Sequence, residues 1–225
     1  MNQATQSPFI SYPKQAAFGR VLPKNKIYEH SGATPAVREM FVRQVEQIVW
    51  QFKLAPETIN LASKPSVPEL QIFAIQLKTP VLNHEVLRCI DGAVQFPIIF
   101  ELTFERNTQV VAAFKRPSAS DSNRWVVSEY FSAQWMPSCG ARTAMPIALD
   151  LGILYEQLLQ RLIPLPLRQN ETLAELVARV ELLRLKENEV QKISSKLAKE
   201  KQFNRKVEIN AQLRAIRQEL ENLTN

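Results

Sequence analysis

Glycine is scarce in this chain. Its five glycines, none in a G-x-G or Walker pattern, exclude the loops that cradle nucleotide phosphates on backbone N–H groups. Cysteine is scarcer. Cys89 and Cys139 cannot build a disulfide framework or a four-ligand zinc site. His30 and His84 are the only histidines, and neither has a second histidine or a cysteine at ligand spacing. A lone histidine at a helix start, such as His84, is ordinarily an exposed or capping residue. Cys139, in "PSCGART", has Arg142 nearby to lower its pKa but no partner base, and nucleophilic catalysis needs both. No stretch approaches the ~18 consecutive apolar residues of a membrane-spanning helix. The start "MNQATQSPFISYPKQ" lacks the apolar segment of a secretory signal. These absences point to a cytoplasmic protein with no cofactor, no metal site and no assignable catalytic residue.

What is present is an ordinary apolar share, 45%, and a basic excess of 28 Lys and Arg over 22 Asp and Glu, net +6. A core is therefore expected, and contact with nucleic acid or acidic partners is permitted without being demanded. The length suits one domain of ~100–200 residues with an appendage.

Residues 1–33 carry Pro8, Pro13 and Pro23 with few periodic apolar positions, so 1–19 reads as an irregular arm. "GATPAVREMFVRQVEQIVWQFKL" follows with Thr34 as N-cap and Pro35 in the first turn. Val37, Met40, Phe41, Val45, Ile48, Val49 and Phe52 recur at helical spacing and predict one long helix. "ELQIFAIQLK" is apolar on both sides of a period-two pattern, as in an interior strand. Asn83 caps a short helix over "HEVLRCIDGAV". "PIIFELTFE" and "TQVVAAFKR" flank a tight turn at Arg106-Asn107, and "NRWVVSEYF" gives a further strand. Ile147, Leu151, Leu154, Leu158 and Leu162 predict another helix. The expected architecture is α+β: a small, largely antiparallel sheet with packed helices over 20–165, then a C-terminal helical arm over 166–225.

After Asn170 some 55 residues lack Gly and Pro, about 80 Å if wholly helical. Leu176, Val180 and Leu183 form one apolar run, and Leu213, Ile216 and Leu220 a second, out of register with the first. The pattern fits a coiled coil with a phase slip or a hairpin bending near Gln202–Arg205. The shortage of turn residues there favours the slip, with association between copies along the stripes. Between the runs, Lys192, Lys196, Lys199, Lys201, Arg205 and Lys206 face a single acid, Glu200, for a net +5. Such a run is either the solvated face of a coiled coil or a patch that neutralises phosphates and releases counterions. A membrane-surface helix would need a bulkier apolar face. Phe203 is the one residue there able to stack on a base, so the sequence gives little support for sequence-specific or single-strand recognition.

A metal-dependent nuclease would draw on Asp91, Glu101 and Lys115, since carboxylates holding Mg²⁺ beside a lysine suit phosphodiester cleavage. The acid-x-lysine spacing of restriction-type nuclease cores is missing, however. A purely structural coiled-coil dimer is the other alternative.

Three stretches, "LPKNKIYEHSGATPAVREMFVRQVEQIVWQFKLAPETINL", "LRCIDGAVQFPIIFELTFE" with "AAFKR", and "KEKQFNRKVEINAQLRAIRQEL", together resemble a bacterial family known as domain of unknown function four-three-nine-one. The resemblance spans roughly residues 20–223. It implies a companion of DNA methyltransferases and helicase-type restriction subunits, and it carries over no catalytic residue. The expected function is a non-catalytic accessory or scaffolding subunit of a restriction–modification-like or anti-phage assembly, with the basic helical segment on DNA or a partner protein.

Overall fold

The computed structural model describes residues 8–118, 120–121 and 124–224. The chain divides into two compact units, Met1–Ile163 and Pro164–Asn225.

The first unit opens with β1 (Ile10–Ser11), a short 3-10 turn (Lys14–Ala16), β2 (Ala17–Val21) and α1 (Lys24–Ser31). The described part of the expected irregular arm is thus paired. Residues 1–7 of that arm lie outside the described residues. The partner of β1 is β9 (Thr143–Ala144), more than a hundred residues away, so no local pattern announces it.

Next come α2 (Pro35–Gln44) and β3 (Val45–Leu54), where the sequence predicts one helix. Thr34 caps α2 as expected, its hydroxyl accepting from Val37 N at 3.4 Å. At Val45 the chain changes to strand, because Val45, Ile48, Val49, Trp50 and Phe52 are β-branched or aromatic and find strands on both sides. Carbonyls at the end of α2 and the start of β3 also accept from lysines outside the helix. Lys24 Nζ donates to Phe41 O and Val45 O, and Lys78 Nζ to Val42 O. Cations at a helix C-terminus satisfy both its orphan acceptors and its dipole.

The unit continues through α3 (Pro56–Ile59), β4 (Leu70–Leu77), α4 (His84–Ala93), β5 (Ile98–Phe104), β6 (Asn107–Pro117), β7 (Trp125–Ser132), β8 (Met136–Pro137) and α5 (Leu151–Gln160). The main sheet has the order β2-β3-β4-β5-β6-β7, with β8 beside β6. Its neighbours are antiparallel except β4 and β5, which are parallel and joined by α4. That one crossover makes the sheet mixed.

Phe41, Phe73, Leu87, Ile90, Phe100 and Tyr130 belong to the core on the face covered by α1, α2 and α4. By alternation, Ile99, Glu101, Val110 and Ala112 point to the other face. There α5 reaches the sheet through Tyr155. Its hydroxyl donates to Ala113 O and accepts from Lys115 N, both at 2.8 Å, at the register shift between those residues. A bulge strands backbone groups, and here a tyrosine satisfies them. The predicted helix over this segment starts later than its apolar spacing implies. Ile147 and Leu149 are 94% and 84% exposed, and α5 begins after Asp150, whose carboxylate accepts from Ile153 N.

The second unit begins helically at Thr172. Its hydroxyl accepts from Glu175 N, and Glu175 Oε2 accepts from Thr172 N, a reciprocal capping box. It contains α6 (Leu173–Lys199) and α7 (Phe203–Thr224). Arg179 of α6 donates to Leu223 O, and Lys186 lies 2.7 Å from Glu219. Rising numbers on α6 meet falling numbers on α7, so the two helices form an antiparallel hairpin. The phase-slipped continuous helix is thereby corrected to the bend. Leu176, Val180, Leu183, Leu213 and Ile216 are buried and Leu220 half-buried, so the stripes expected to join copies are already covered within the chain. Among the described residues no helix is long and apolar enough to cross a membrane.

Candidate functional site

The break between α6 and α7 has no glycine or proline to explain it. Glu200 supplies the reason. Its backbone leaves the helix at φ −72°, ψ 136°, while its N–H still reaches Lys196 O and Leu197 O. Its carboxylate then accepts from Lys201 N and Gln202 N at 2.8 and 2.9 Å. A side chain that takes up the next N–H groups offers the backbone an alternative to continuing the helix, as Asp and Asn do at N-caps. Those two N–H groups, and then Arg205 and Lys196, hold the Glu200 carboxyl below its ordinary range.

The consequence is spatial. Lys192, Lys196 and Lys199 occupy the last two turns of α6, Lys201 sits in the connection, and Arg205 and Lys206 sit in the first turn of α7. The hairpin brings all six to one end, and each is exposed. The single acid of the segment, Glu200, is turned toward the backbone. Elsewhere in residues 164–225 six basic residues stand against eight acidic, a net −2. Two of those basic residues are in ion pairs: Arg179 with Glu171 at 2.6 Å, and Lys186 with Glu189 and Glu219. Among the described residues none of the six turn cations has an acidic partner within 4.0 Å.

A hairpin that segregates its charge this way is suited to a polyanion. Ammonium and guanidinium groups gathered at one end can neutralise phosphates. Phe203, 77% exposed, lies among them.

The residues weighed for metal-dependent cleavage separate onto the two faces of the sheet. Asp91 and Lys115 meet on the α4 face. Lys115 Nζ donates to Asp91 O at 2.6 Å, to Asp91 Oδ1 at 3.3 Å and to Val94 O. Three acceptors consume its three protons. Tyr130 donates to Asp91 Oδ2 at 2.6 Å. Burial pushes the Asp91 carboxyl up and the Lys115 ammonium down, each opposed by the charge of the other. Both are closed off from solvent. Glu101 points to the opposite face, where Arg142 grips both its oxygens at 2.8 and 2.7 Å and also donates to Ile10 O. Asp91 and Lys115 thus lash the end of α4 to β6, and Glu101 with Arg142 ties β1 to β5. Among the described residues no three acidic, histidine or cysteine side chains are grouped to hold a metal ion.

Cys139 is exposed, and the nearby arginine is engaged by Glu101. His84 lies beside the Tyr130 ring, centroids 5.1 Å apart. Sequence reasoning missed the role of Glu200. The acid stood out as an exception in a basic run, and beside Asn204 that exception was a local signal of a turn.

Residues 10–220 match the family described as Domain of unknown function (DUF4391). The match spans most of the chain, and the chain belongs to that family. No curated protein and no solved structure matches the chain.

Proposed function

We propose that this member of the family is a non-catalytic accessory subunit whose C-terminal hairpin presents a cationic end to the phosphate backbone of DNA. The α+β unit serves as the scaffold. One observation carries the reading: the bend at Glu200 gathers Lys192, Lys196, Lys199, Lys201, Arg205 and Lys206, all exposed, at one end of the hairpin. Neutralising phosphates with such groups supplies affinity without base contacts, so the binding is independent of sequence and sensitive to salt.

The assembly in which this operates is a restriction–modification-like or anti-phage complex containing a methyltransferase or helicase-type subunit. The family resemblance supports this part, and the DNA-facing charge agrees with it. The test is isolation of the tagged full-length protein from its own cells, with and without nuclease treatment. The account expects a DNA-modifying or DNA-translocating subunit to be recovered and nucleic acid to be lost on replacing Lys196, Lys199, Arg205 and Lys206 by Gln. Recovery of the protein alone and free of nucleic acid would overturn it.

A further inference from the structure

Phe203 opens α7 at 77% exposure, and Val207, one turn later, is 52% exposed. A spacing of four places the two on one side of the helix. Lys199, Lys201, Arg205 and Lys206 lie close to them along the chain, all exposed. Cations alone would suffice to hold a phosphate backbone. An aromatic ring set among them adds a surface that a backbone cannot use.

From this juxtaposition, and resting on the DNA reading above, we infer that the hairpin turn is a stacking wedge for nucleic acid with unpaired bases. Lys199, Lys201, Arg205 and Lys206 hold the flanking phosphates while Phe203 stacks on one base. In an intact duplex each base face is covered by its neighbours, and reaching it requires unstacking. A single strand, a fork or a frayed end offers that face freely, and aromatic side chains bind it with little regard to sequence. Val207 extends the apolar side along the same nucleotide. With a single ring at the turn, the wedge engages one base and reads no sequence.

The experiment uses the full chain with three oligonucleotides of related sequence: a blunt duplex, a fork and a single strand. Each carries an aminopurine fluorophore near the junction or end. The expected result is affinity about tenfold higher for the fork and single strand than for the duplex. Phe203→Ala abolishes that preference and leaves duplex affinity unchanged, while Phe203→Trp retains it and still quenches the fluorophore. Equal affinity for all three, or a Phe203→Ala protein that keeps the preference, would overturn the wedge while leaving backbone binding intact. Absence of binding to every oligonucleotide would overturn both. Stronger Phe203-dependent binding to anionic phospholipid vesicles would assign the turn to a membrane surface and overturn the wedge as well.

Discussion

Lys186 of α6 and Glu219 of α7 lie 2.7 Å apart across the C-terminal hairpin, although 33 positions separate them in sequence. In a single continuous helix at ~1.5 Å per residue they would be some 50 Å apart. The pair therefore reports the bend at Glu200, and the bend is what concentrates the positive charge. Structure and proposed function meet at that turn.

Charge reversal at one member of this pair should cost thermal stability, and reversal at the other should return it. Lys186→Glu is expected to lower the melting temperature of the full chain followed by circular dichroism. Adding Glu219→Lys is expected to recover most of the loss. If the second change lowers stability further, the two side chains do not face each other.

Lys115 is almost wholly buried and satisfied by Asp91 and Val94. Removing one partner of such a pair leaves an uncompensated buried charge, so Lys115→Ala should cost about 3–5 kcal/mol in urea unfolding. Replacing both, as Asp91→Asn with Lys115→Met, should cost clearly less. The structural role also predicts that these variants retain nucleic-acid affinity as long as they remain folded. A stable Lys115→Ala protein that loses a metal-dependent cleavage activity would favour the nuclease instead.

Acid should loosen the base of the hairpin through Glu171. Its carboxyl is bound by Arg179 and by Arg168 N–H, which hold its pKa down to about 2 from the ordinary 4.5. A depressed carboxyl stabilises the fold fully above its unfolded value. That contribution is lost as the pH falls from about 4.5 toward 2. Melting temperature should therefore decline over that window in the wild type, and Glu171→Gln should begin lower and decline less. Equal slopes in the two proteins would show that the carboxylate adds nothing.

Much of the first unit was legible in the sequence because its signals are local. The Asn83 cap of α4, the interior strand β4 and the β5–β6 hairpin follow from patterns within ten or so residues. The change from α2 to β3 was not legible. Val37 to Phe52 satisfy a helical stripe, and only pairing with β2 and β4 decides for strand from Val45 onward. The tie of Ile10 to Thr143 joins distant segments and leaves no periodic trace. In the second unit the apolar stripes were plain, but their partner was the other stripe of the same chain. The bend was hidden because a glutamate side chain performs what glycine or proline usually does. The basic residues were identifiable individually. Their assembly at one end depended on that bend.

The most direct measurement is the salt dependence of duplex binding by fluorescence anisotropy, for the wild type and for Lys196→Gln, Lys199→Gln, Arg205→Gln, Lys206→Gln combined. If the turn neutralises phosphates, log affinity falls linearly with log salt in the wild type. The combined variant should bind more weakly and with a slope shallower by up to about 3.6, or 0.9 for each contact removed. Identical slopes and affinities in the two proteins, with both still folded, would contradict the account and leave the cationic turn a solvated surface.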